Sequence, residues 1–126
     1  MTSTSERKRE LKRAYRERPK PAGIFQVKNT VTGKVLLGSS LNLDGSLNRH
    51  RFMLVNGSHY NRALQQAWKD DRPGAFVFEI LDVVDVKDEP GFNLKDELAA
   101  LEQAWIEKIG PFGERTYNEG AEIRDV

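Results

Sequence analysis

Two short apolar strands joined by a four-residue turn constrain this chain more than any other feature. Gly23-Ile24-Phe25-Gln26-Val27-Lys28 runs through Asn29 into Thr30-Val31-Thr32-Gly33, and Lys34-Val35-Leu36-Leu37-Gly38-Ser39-Ser40 follows. Ile24 to Lys28 reads as a strand and Lys34 to Gly38 as its partner, with Gly33 placed in the turn for a positive φ. Phe25 and Leu36 are expected on neighbouring strands near the open end of that hairpin.

The rest of the chain alternates between helical and extended patterns. Ser3 and Glu6 have capping-box spacing, and Leu11, Ala14 and Tyr15 make a narrow apolar stripe, so a helix is expected until Pro19-Lys20-Pro21 stops it. Asp44 is the expected N-cap of a helix over about Gly45 to Val55, with Leu47, Phe52 and Leu54 supplying apolar contacts and Asn56-Gly57 ending it. Ser58 is the expected cap of a second helix to about Lys69, burying Ala63, Leu64, Ala67 and Trp68 before Pro73-Gly74. Ala75 to Val84 alternates and reads as a third strand, central or well covered. After an acidic loop from Asp85 to Asn93, Leu94, Leu98, Leu101, Trp105 and Ile109 recur at helical steps and give the clearest helix, ended by Gly110-Pro111. The tail from Phe112 to Asn118 lacks periodicity and reads as an ordered loop. This order of elements makes an α/β (α+β) domain, a small antiparallel-containing sheet flanked by helices.

The 126 residues suffice for one domain. We divide them into a basic helical arm, residues 1–20, and a domain over residues 21–126. Without a cysteine there is neither disulfide nor thiolate metal site. No apolar run is long enough for a membrane span and no secretory signal is visible, so a cytoplasmic protein is expected. The net charge of +1 hides a segregation: residues 1–20 carry eight Lys/Arg against three Glu, while the remainder is mildly acidic. Arg7, Lys8, Arg9, Lys12, Arg13 and Arg16 crowd the arm, where like charges a turn apart repel and would gain from an anionic partner. Such a run is often only a solvated face. It also suits an element that follows phosphates, and Arg49, Arg51, Arg62, Lys28 and Lys34 extend the positive character. Tyr15 and Tyr60 are the only aromatics placed for base stacking, so sequence readout is not expected.

The segment from Gly23 to Asn118 resembles the GIY-YIG nuclease family. Gly23-Ile24-Phe25 and Leu36-Leu37-Gly38 resemble its two tripeptides, and Asn48-Arg49-His50-Arg51-Phe52 its first helix. Gly57-Ser58-His59 matches a site where members often have a second histidine. Leu101-Glu102-Gln103-Ala104-Trp105-Ile106 resembles the helix bearing the metal-binding glutamate, and Tyr117-Asn118 the closing pair. The resemblance implies a sheet of three antiparallel strands and, in active members, one-metal cleavage of a phosphodiester. There a tyrosine helps activate water, a second tyrosine and an arginine steady the phosphate, a glutamate holds Mg²⁺, and an asparagine helps build the site.

Carried over residue by residue, the two tyrosines fall on Phe25 and Leu36 and the arginine on Ser46. His50, His59, Glu102 and Asn118 are retained, with Glu102 the candidate Mg²⁺ ligand. Losing one well-placed donor costs about 10²–10³ in rate, so a nearly silent site is expected. Plainer roles stand beside these. Glu102 reads equally as a boundary carboxylate, the histidines as hydrogen-bonded structural residues, Asn118 as a loop pin, and Phe25 and Leu36 as core or pocket wall. Three functional readings follow. One is a binder of DNA or RNA backbone with cleavage lost or weak. Another is an Mg²⁺-dependent endonuclease rebuilt around His50 as base, Arg49 and Glu102, with Arg51, Tyr60 or Tyr117 reaching inward. The third is a protein-interaction module using the basic helix.

Overall fold

The structure is a computed structural model that describes residues 20–109 and 115–118. The basic helix expected over the arm, with Arg7, Lys8, Arg9, Lys12, Arg13 and Arg16, lies outside the described residues. Strands β1 (Gly23–Asn29) and β2 (Val35–Ser40) lead to helices α1 (Leu43–Asn56) and α2 (Arg62–Asp70). A 3-10 turn, Pro73–Ala75, opens β3 (Phe76–Val83), and α3 spans Leu94–Ile109. The fold is α+β, and its sheet has three antiparallel strands in the order β2-β1-β3.

The hairpin closes as its turn chemistry dictates. Asn29 N–H donates to Lys34 O at 2.9 Å, Gly33 N–H to Asn29 O at 2.7 Å, and Gly33 takes φ 80°. The register differs from expectation at Leu36, which pairs with Val27 next to the turn, while Phe25 faces Gly38. β3 is not central: it is an edge strand, and most of its residues are half-buried or exposed. β1 is the central strand, because both neighbours pair with it.

Alternation along β1 and β2 sends successive side chains to opposite faces. On one face Val27, Leu36, Leu54, Leu64, Trp68, Phe76 and Tyr117 form a core beneath α1 and α2. On the other, Ile24, Leu37, Val84 and Leu98 pack with Leu94, Leu101, Trp105 and Ile109 of α3. Trp105 Nε1–H donates to Asp82 Oδ2 at 3.1 Å and ties α3 to β3.

Both helix starts differ from the sequence reading. Asn42, not Asp44, caps α1, its side chain accepting from Gly45 N–H at 3.2 Å, and Asp44 sits in the first turn. Asn61, not Ser58, caps α2 by accepting from Leu64 N–H at 3.0 Å. The Asn61 amide also donates to Tyr117 O at 2.7 Å, which adds a tertiary bond to the cap. The inward face of α1 carries Leu43, Ser46, His50 and Leu54, whereas Phe52 is 68% exposed. Ala63 is exposed, and α2 buries Gln65 beside Leu64 and Trp68.

Candidate active site and its substituted positions

β1, β2 and α1 place the residues that carry the family resemblance. Phe25 is fully buried, with its ring packed over Gly38 and its centroid 5.2 Å from that of His50. Leu36, 4% exposed, belongs to the core beneath α1 and α2. Ser46, 5% exposed, has its hydroxyl 2.6 Å from that of Ser40, which also accepts from Asn42 N–H at 2.9 Å. These three positions thus carry packing and a local hydrogen bond.

His50 and His59 meet directly, with His50 Nδ1 2.8 Å from His59 Nε2. The tautomers follow from their neighbours. Asn61 backbone N–H donates to His59 Nδ1 at 3.0 Å, so that nitrogen is an acceptor. A neutral His59 then carries its hydrogen on Nε2 and donates to His50 Nδ1, which leaves the hydrogen of a neutral His50 on Nε2. His50 therefore carries its hydrogen on Nε2, an atom buried from solvent. To serve as a general base it would have to exchange tautomer and give up the bond from His59. His59 N–H in turn donates to Gln65 Oε1 at 3.0 Å, and Gln65 Nε2 donates to Leu54 O at 3.1 Å. Asn61 and Gln65 are supports that sequence reasoning missed. The Asn61–Leu64 cap spacing was the available signal.

Glu102 comes from α3 and is buried, accepting the Ser39 hydroxyl at 2.5 Å. Ser39 and Ser40 are consecutive in β2, their Cα atoms about 3.8 Å apart. One serine holds the carboxylate-bearing helix and the other the histidine-bearing helix. Among the described residues no group of three or more His, Cys, Asp or Glu side chains gathers as a metal centre. Glu102 thus offers Mg²⁺ a single carboxylate, a fit only for a weakly held, water-rich ion.

Asn118 sits against β2. Its Oδ1 accepts from Leu37 N–H at 2.8 Å and its Nδ2 donates to Leu37 O at 2.7 Å. Just before it, Val35 N–H donates to Arg115 O and Tyr117 N–H to Val35 O. The Asn118 amide thus extends a parallel ladder past its last main-chain bond and covers part of the β2 edge. Asn118→Ala removes both bonds and is expected to lower stability by about 1–3 kcal/mol, measured by urea unfolding.

The candidate cations spread over the surface. Arg49, Arg51 and Arg62 are exposed. Arg51 lies over the Phe78 ring, 4.4 Å from its centroid, and Lys34 lies 4.9 Å from that of Tyr117. Tyr117 is buried, and its hydroxyl accepts from Asn29 Nδ2 at 3.1 Å. Tyr60 is exposed and stacks on His59 at 4.5 Å. No helix among the described residues is long and apolar enough to cross a membrane.

No protein-family model and no curated protein matches the sequence. Two solved structures are similar. The catalytic domain of homing endonuclease I-TevI is 30% identical, with 69% of this chain and 86% of that one covered and a TM-score of 0.53. A point mutant of the catalytic domain of intron endonuclease I-TevI is 27% identical, with 70% and 82% covered and a TM-score of 0.54. The three-stranded antiparallel sheet, its flanking helices and this likeness to an endonuclease catalytic domain agree: the chain belongs to the GIY-YIG nuclease superfamily, as a member with Phe25 and Leu36 in place of the two motif tyrosines.

Proposed function

We propose that this protein binds the phosphate backbone of DNA or RNA on a GIY-YIG nuclease fold, with cleavage lost or weak. The observation that carries this reading is the burial of all three substituted positions: Phe25 at 0%, Leu36 at 4% and Ser46 at 5% exposure. A diester transition state needs preorganised donors and cations, and at these positions the chain offers a hydrocarbon ring, an aliphatic side chain and a hydroxyl bonded to Ser40. Glu102 could still hold a weak Mg²⁺, which would supply charge neutralisation at the phosphate. The basic arm and the exposed Arg49 and Arg62 supply sequence-independent attraction.

The test is a salt series with the full chain. Affinity for nucleic acid is expected to fall about 10³-fold or more between about 50 and 200 mM salt, as for proteins that make six or more phosphate contacts. Removing residues 1–20 should flatten that dependence. Plasmid, single-stranded DNA and RNA incubated with Mg²⁺ should stay intact. Absence of binding at low salt overturns the reading. Mg²⁺-dependent cleavage that Glu102→Ala abolishes would establish the rebuilt endonuclease in its place. Retention of a protein partner that survives nuclease and depends on the arm would support the interaction module.

A further inference from the structure

The negative charge beyond the basic arm is gathered in one place. Residues 82–97 carry six carboxylates against two lysines, an excess as large as that of the whole chain beyond residue 20. This segment walls a groove of about 510 Å³ between the end of β3 and the start of α3. Asp85, Glu89 and Glu97 line it together with the apolar Val83, Phe92 and Leu101, and Lys87 is the cation among them. We propose that the basic arm, residues 1–20, docks in this groove of its own domain, so that nucleic acid must compete with the acidic wall for the arm's cations. The docking stands on the chain's own residues, and its effect on nucleic acid rests on the backbone-binding reading above.

A run of carboxylates alone is commonly a solvated face, and three observations set this one apart. The first is where the arm begins. Val84 N–H donates to Ala22 O at 2.8 Å, and Val84 lines the groove, so the chain leaves the sheet at the groove's wall. Tyr15 lies seven residues before Ala22, a reach of up to about 23 Å. So short a tether holds the arm at an effective concentration of roughly millimolar order. The second is the spacing of the acids. Among the described residues no three carboxylates gather as a metal centre, so the wall offers separate charges to several cations and not a cage to one ion. The third is the apolar lining, with Val83 49% exposed and Phe92 and Leu101 half-buried. The arm carries the matching pattern, Leu11, Ala14 and Tyr15 amid Arg7, Lys8, Arg9, Lys12, Arg13 and Arg16. Single exposed ion pairs contribute little, so the contact depends on their number, the tether and the apolar burial together, and salt weakens it.

The sequence has no cysteine, so Ser5→Cys gives the full chain a single thiol for a nitroxide label, at the end of the arm away from the tether. At low salt the label is expected to broaden the amide NMR signals of Val83, Asp85, Glu89 and Phe92 more than those of the rest of the domain. The broadening should vanish at about 1 M salt, where screening acts over about 3 Å. It should also vanish in the groove variant, Asp85→Asn with Glu89→Gln and Glu97→Gln. By fluorescence anisotropy at low salt, the unlabelled groove variant should bind a blunt DNA duplex about 5- to 150-fold more tightly than the wild type, the usual span of coupling between two sites. Neutralising three carboxylates elsewhere, Asp44→Asn with Asp70→Asn and Glu107→Gln, controls for overall charge and should raise affinity less. Absent or evenly spread broadening overturns the docking. Broadening found only between labelled and unlabelled copies overturns the contact within one chain. Equal gains in the groove and control variants overturn the competition. Groove broadening in a protein that binds no nucleic acid, in any variant, leaves the docking standing and overturns the backbone-binding reading.

Discussion

Ser46→Arg, which would put a cation where the family resemblance places its arginine, is expected to cost about 3–5 kcal/mol in urea unfolding and to bring back no cleavage. Ser46 is buried on the inward face of α1, its hydroxyl 2.6 Å from Ser40. A guanidinium at that position either stays desolvated among buried groups or pushes α1 away from β2. Both outcomes break the Ser40 bond and disturb the His50 packing one turn on. The other two restorations follow the same logic at lower cost. Leu36→Tyr forces a ring into a core already filled by Val27, Leu54, Leu64 and Trp68, at about 1–3 kcal/mol. Phe25→Tyr adds a hydroxyl to a fully buried ring and is expected to cost about 1–3 kcal/mol. A triple variant that folds with wild-type stability and cleaves DNA in Mg²⁺ would show that the interior is still open to the chemistry. Loss of stability without cleavage means that the domain has repacked around its substitutions.

The elements that could be read from sequence were those in which local and tertiary preferences agree. The hairpin was legible because its turn needs Gly33 at positive φ and its strands are mostly apolar and buried. Helix α3 was legible because one stripe of large apolar residues meets one face of the sheet. Helix α1 was misread at Phe52 for a physical reason, although Leu54 is buried as expected. Its core-facing positions include Ser46 and His50, satisfied by Ser40 and His59, while Phe52 and Val55 point outward. Hydrophobic periodicity cannot see a polar network that occupies the buried face. Likewise the Val- and Ile-rich composition of β3 suggested a covered strand, yet strand order is set by pairing to β1. At the site, residue identities suggested the substitutions at Phe25, Leu36 and Ser46. The stacking of Tyr60 on His59, and the supports from Asn61 and Gln65, needed coordinates because they join loop, cap and helix in space.

Gly23→Ala is expected to be among the most damaging single substitutions in the domain, lowering stability by about 3 kcal/mol, the upper end of the overpacking range. A Cβ at Gly23 would strike the carbonyl oxygen of Asp82 and come within 2.9 Å of the Val83 Cα. The obstruction is backbone of the paired strand, which no rotamer change relieves, and β1 is central, so any shift propagates to both neighbours. Gly38→Ala meets a different obstacle, the tip of the Phe25 ring, and is expected to cost about 1–3 kcal/mol. Neither glycine has a positive φ, so each is required for room and not for backbone freedom. This explains why the outer glycines of both tripeptides stand in a chain whose tyrosines do not. The tyrosines serve the reaction, and the fold is complete without them. The glycines let β1 approach β3 and let a ring lie on β2, so the fold needs them whether or not a diester is cleaved. Thermal unfolding of Gly23→Ala beside the groove variant is the direct comparison: the first should melt far below the wild type and the second close to it. A Gly23→Ala protein as stable as the wild type would show that the strands can separate at this point, and that the glycine has some use other than packing.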